Sequence, residues 1–138
     1  MDIDLYQSQK AIDNGKHALQ NNGILILVSK CRMGVGEDAF LNLFCKADTP
    51  KGILDALKDE YKLGYHKAAK MVQIGTWAKL WAVSDLDDKI IKKAMLKPFH
   101  NVQKAIDKAV ENVISKGKEP RIIIMPFGSL TIPMIGEK

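Results

Sequence analysis

The chain is 138 residues long with 46% hydrophobic and 27% charged residues, which is the make-up of one globular domain with a core rather than a disordered or fibrous chain. Its net charge of +5 raises nucleic acid as a partner, but lysines alternate with acids, as in Asp55, Lys58, Asp59, Glu60 and Lys62, and no basic run is interleaved with base-stacking aromatics. Apolar runs are too short to span a membrane, the Met1-Asp2-Ile3-Asp4 start is acidic, and Cys31 and Cys45 lack C-x-x-C spacing. The expectation is a reduced, cytoplasmic protein with no nucleic-acid, membrane or metal-binding role in this chain.

The segment Met1-Asp2-Ile3-Asp4-Leu5-Tyr6-Gln7-Ser8-Gln9-Lys10 opens a helix predicted to run over residues 7–20 and to stop at Asn21-Asn22-Gly23. Tyr6 and Lys10 are four apart and Gln7 and Lys10 three apart, so their side chains share one edge of that helix. A phenol, an amide and an ammonium together supply several donors and a positive charge, a set suited to one carboxylate. The same spacing also fits an amphipathic first turn that binds nothing.

Next comes Ile24-Leu25-Ile26-Leu27-Val28, a short continuous apolar run that predicts a strand buried on both faces. The loop Ser29-Lys30-Cys31-Arg32-Met33-Gly34-Val35-Gly36 follows and leads into a helix over residues 36–46. Gly34 and Gly36 read either as a tight turn or as an anion-binding loop, because Ala39 and a missing acidic residue spoil the dinucleotide fingerprint. Thr49 as cap and Pro50 at the first position start a helix through residue 62, and another runs over residues 64–76.

Residues 80–84 form a second predicted strand. Asp85 or Asp87 caps a short helix through Leu96 that Pro98 closes, and Asn101 caps a helix with an apolar stripe of Val102, Ala105, Ile106, Ala109, Val110 and Val113. Arg121-Ile122-Ile123-Ile124-Met125 predicts a third strand, followed by a loop ending at Pro133. Alternating helices and strands predict a single doubly wound, Rossmann-like α/β domain: a mainly parallel sheet with helices on both faces. Function is then expected at the carboxyl ends of the strands, with the acid anchored by Lys10 at the lip of that crevice. His17, His66 and His100 show no metal spacing, and Trp77 and Trp81 read as core.

Asp4-Leu5-Tyr6-Gln7-Ser8-Gln9-Lys10-Ala11, the strand and loop of residues 23–36, and the ending Met125-Pro126-Phe127-Gly128-Ser129-Leu130-Thr131-Ile132-Pro133 together resemble the C-terminal domain of the nickel-dependent lactate racemase family. The resemblance covers essentially the whole chain in the family's order, and the Tyr-Gln-x-x-Lys helix start is its distinctive element. It implies a racemase or epimerase that removes hydride from the α-carbon of a small 2-hydroxy acid and returns it to the other face. It implies a nickel-pincer nucleotide as hydride acceptor in the complete enzyme, and substrate-carboxylate contacts at Gln7 and Lys10 with Tyr6 lining the pocket. His66, within Gly64-Tyr65-His66-Lys67-Ala68, falls where lactate racemases carry a substrate-pocket tryptophan, so the resemblance also implies a different 2-hydroxy acid; the alternative reading is that His66-Lys67 merely starts a helix. The histidine bases, the metal ligand and the cofactor-tethering lysine belong, by the same resemblance, to an N-terminal domain that is absent here, fused or supplied in trans. Alone, this domain is expected to be inactive and to bind no cofactor. The competing expectation is a non-catalytic regulatory or interaction module binding a small anion at Gly34 and Gly36.

Overall fold

The computed structural model describes residues 2–136, so Met1 of the opening segment lies outside it. Asp4 starts the first helix, α1 (Leu5–Gly15), by accepting the Gln7 amide on Oδ1 at 2.7 Å, and a 3-10 turn (Lys16–Ala18) ends it earlier than predicted. Strand β1 (Ile24–Val28) follows as expected. Three helices then precede the next strand: α2 (Asp38–Phe44), α3 (Pro50–Ala56) and α4 (Tyr65–Gly75). Thr49 caps α3 as predicted, its Oγ1 accepting the Gly52 amide at 3.1 Å, and Pro50 occupies the first turn. Strand β2 (Lys79–Val83), α5 (Asp88–Lys93), β3 (Lys97–Phe99) and α6 (Val102–Ser115) complete the order. Asp87, rather than Asp85, caps α5, and Asn101 caps α6.

The sheet is parallel throughout in the order β1-β2-β3, with Ile26 opposite Trp81 and Trp81 opposite Lys97. Register separates the two faces. Leu80 and Ala82 join Leu27 in a core filled from α1, α2, α3, α4 and α5 by Leu5, Ile12, Phe40, Leu43, Ile53, Met71 and Ile91, all with essentially no exposure. Lys79 and Trp81 point to the opposite face, where Lys79 Nζ donates to Asn112 Oδ1 of α6 at 3.2 Å and Trp81 packs on Phe99 with ring centroids 5.0 Å apart. Helices therefore cover both faces of a parallel sheet, and the expected α/β class is what the chain forms.

Three sequence expectations need correction. Arg121-Ile122-Ile123-Ile124-Met125 is not a strand: it makes no hydrogen bond among the described residues, and Ile122, Ile123 and Ile124 are 59%, 66% and 79% exposed. The place beside β2 is taken instead by Lys97-Pro98-Phe99, whose proline suits an edge strand because its missing amide faces away from the ladder. β1 is likewise an edge and is only partly covered, not buried on both faces. Of the predicted α6 stripe only Ala105 is buried, with Val102 exposed and the rest half-covered.

Candidate functional site

Because β1 and β2 are parallel, α1 and α4, which feed them, both begin at the carboxyl end of the sheet. The start of α1 is held there by the loop after β1. Leu5 N donates to Gly34 O at 3.1 Å, Tyr6 N to Val35 O at 2.9 Å, and Met33 N to Ile3 O at 2.7 Å. With Gln7 N on Asp4, the first-turn amides of α1 that a helix usually leaves unpaired are all engaged. An anion at this edge must therefore be held by side chains.

The glycine loop is shaped by the same contacts. Gly36 sits at φ +92°, and a Cβ there would lie 2.6 Å from the Asp4 carboxyl carbon; Gly34, at φ +82°, donates its amide to Cys31 O at 2.9 Å. Gly36 thus makes room for the cap of α1, and the group nearest it is a carboxylate, which repels an incoming anion.

Tyr6, Gln7 and Lys10 do fall on one helix, with Tyr6 and Gln7 half-buried and Lys10 exposed. Tyr6 is fixed on two sides. Its ring meets Phe40 edge-on at 5.8 Å, and Lys67 Nζ of α4 lies 3.8 Å from its centroid while donating to Tyr6 O at 3.1 Å. Burial, the largest influence, lowers the Lys67 pKa below its ordinary value; the Asp4 charge opposes this and the charges of Lys10 and Lys70 add to it. Lys67 is the residue that sequence reasoning passed over: a lone lysine after His66 carries no signal, and its contact with Tyr6 spans 61 positions. His66 stands beside it on the first turn of α4, half-buried, with Nδ1 covered and without a hydrogen-bond partner among the described residues.

The strand-end crevice is lined by other residues. A cavity of about 400 Å³ opens there between Asp2, Ser29, Lys30, Ser84, Asp85 and His100, and Lys10 does not line it. The crevice is also internally paired: Lys30 Nζ is 3.7 Å from Asp85 Oδ2, and Asp2 Oδ1 accepts from Ser29 Oγ at 2.9 Å and from the Lys30 and Cys31 amides. The Ser29 hydroxyl, first, and the two amides hold the Asp2 pKa below the usual carboxylate value. Cys31 is buried, its Sγ 3.4 Å from Ser29 Oγ, a small packed thiol rather than an exposed nucleophile.

No three His, Cys, Asp or Glu side chains among the described residues gather to hold a metal ion. His17 is in the 3-10 turn at the far end of α1, and His100 Nε2 lies 3.1 Å from Asp88 Oδ1. The described residues thus offer no cluster of the kind that would hold a nickel ion. No helix among the described residues is long and apolar enough to cross a membrane.

The comparisons bear on the family and the fold. Residues 1–132 match the family model described as the lactate racemase C-terminal domain. The chain belongs to the lactate racemase C-terminal domain family. It is 23% identical over 133 residues to the lactate racemase of Thermoanaerobacterium thermosaccharolyticum, a match spanning 93% of this chain and 30% of that protein. The solved lactate racemase apoprotein from the same organism superposes with a TM-score of 0.74 at 21% identity, covering 81% of this chain and 28% of that one. The chain thus spans under a third of the racemase it matches, and the structural likeness establishes a shared fold.

Proposed function

We propose that this domain is the substrate side of a 2-hydroxy-acid racemase or epimerase, with Lys10 and Gln7 holding the substrate carboxylate and Tyr6 lining the same pocket. The observation that carries the reading is the α1 edge itself: its first-turn amides are spent on Asp4, Gly34 and Val35, while the Lys10 ammonium is exposed beside Tyr6 and Gln7. Family membership supports it. An ammonium and an amide fix the acid in position and orientation while the α-carbon flattens and re-forms, which is where a positioned charge contributes most to rate. His66 would make the pocket more polar than an indole does, favouring a 2-hydroxy acid other than lactate.

In this reading the nickel-pincer nucleotide supplies the hydride acceptor, and it is held, with the acid–base histidines, by an N-terminal domain, fused or in trans. That partner would cover the apolar surface near α1. Gly128 O accepts from Asn14 Nδ2 at 2.9 Å, so the exposed Phe127 and Leu130 lie alongside the helix that carries Lys10. In the complete enzyme, Lys10→Ala is expected to lower racemisation by about tenfold to a hundredfold, since a hydrogen-bonded charge contributes about 1.5–3 kcal/mol and each 1.4 is tenfold. Bound nickel should be unchanged by metal analysis. Wild-type turnover in that variant would remove Lys10 from the site.

A further inference from the structure

We propose that Lys67 is a positioning residue of the carboxylate site: its ammonium, bonded to the Tyr6 carbonyl and seated on the Tyr6 ring, holds that side chain in register with Gln7 and Lys10. The inference deepens the carboxylate reading above and rests on it. A lysine ammonium has three donors in a tripod. One is used at 3.1 Å on Tyr6 O, and the nitrogen is 3.8 Å from the ring centroid, so the same group grips the main chain and the ring face of one residue. Phe40 meets the ring edge-on from α2, which leaves the phenol little freedom to turn. The contact also ties α1 to α4 at the end of the fold where both helices begin. A second cation there adds positive potential next to Lys10 without needing to touch the acid. Burial is the main cause of the depressed Lys67 pKa and the Lys10 charge adds to it; a carboxylate arriving between the two would oppose both effects by its charge.

The test uses the complete enzyme with 2-hydroxy acids, beginning with lactate, and compares Lys67→Met, Lys67→Arg and Lys10→Ala. Lys67→Met keeps the stem and loses the charge, and should raise KM about tenfold with kcat changed by less than about threefold, in line with a desolvated cation–ring contact. Lys67→Arg, which still caps an aromatic face, should return KM to within about threefold of wild type. An independent readout needs no turnover: in the NMR spectrum of the 138-residue chain, the ε-methylene protons of Lys67 should lie upfield of ordinary lysine and return to the usual position in Tyr6→Leu. Wild-type KM in Lys67→Met, or an unshifted ε-methylene, overturns the inference. If Lys10→Ala loses racemisation while Lys67→Met does not raise KM, only this inference fails; if Lys10→Ala is also silent, the carboxylate reading fails with it.

Discussion

Gly36 and Gly34 differ in a way that separates two kinds of glycine requirement. Both have positive φ, which costs an alanine about 1–2 kcal/mol. Only Gly36 also faces the Asp4 carboxyl group, within 2.6 Å of where a Cβ would be, whereas Gly34 has open space. Gly36→Ala should therefore lose the Asp4 cap as well and cost about 2–4 kcal/mol, against about 1–2 for Gly34→Ala. Urea unfolding of the two variants checks the difference, and equal losses would mean that Asp4 tolerates the methyl group. The pair also marks where sequence reading ran out. Two glycines between a strand and a helix announce a tight turn, but nothing local says that the turn is cut to receive a helix start some thirty residues upstream. The same holds for Tyr6: its place beside Gln7 and Lys10 follows from helical spacing, whereas its fixing by Lys67 and Phe40 depends on how α4 and α2 pack.

Between elements, the connections on either side of α3 are joined by Glu60, whose carboxylate receives Lys46 and Lys62 at 2.9 Å each. The Lys46 hydrogen bond, then that of Lys62, pulls the Glu60 pKa from 4.5 to about 2. The folded-state value is below the unfolded one, so this contribution to stability is present above about pH 4.5 and is lost as pH falls towards about 2. The pair is exposed, so salt should weaken it. Glu60→Gln should flatten the loss of thermal stability on acidification through that window, and an identical acid profile in the variant would show that the pairing adds nothing. Element boundaries were legible where a cap announces them: Thr49, Asp87 and Asn101 each start the helix that their type favours. β3 was missed because Pro98 reads as a helix terminator, although an edge strand accepts it equally well. Residues 121–125 were over-read for the opposite reason. An apolar, β-branched run states that a surface seeks cover, not that the cover lies in the same sheet.

At the scale of the whole molecule, the apolar surface is unevenly distributed. Ile122, Ile123, Ile124, Phe127, Leu130 and Ile132 are all exposed in one stretch, far more than scattered surface residues require. On the reading that another domain covers this stretch, the 138-residue chain alone should bind a hydrophobic dye such as ANS and self-associate as its concentration rises. Ile123→Asp should reduce both in sedimentation and fluorescence measurements. A monomeric, dye-free wild-type chain would contradict that reading. The α/β class and the two-sided cover of the sheet were legible because alternation of helix and strand patterns dictates them. The lining of the strand-end crevice was not, since it depends on the fold bringing Asp2 to Ser29 and Lys30 to Asp85 across long stretches of chain.

The most direct test of the carboxylate site is a crystal structure of the complete enzyme with a bound 2-hydroxy acid. The account predicts the acid's carboxylate within hydrogen-bond reach of Lys10 Nζ and the Gln7 amide group, about 2.7–3.2 Å, with the Tyr6 ring alongside. A carboxylate seated at Gly34 and Gly36, or in the crevice between Lys30 and His100, with Lys10 left in solvent, would contradict it.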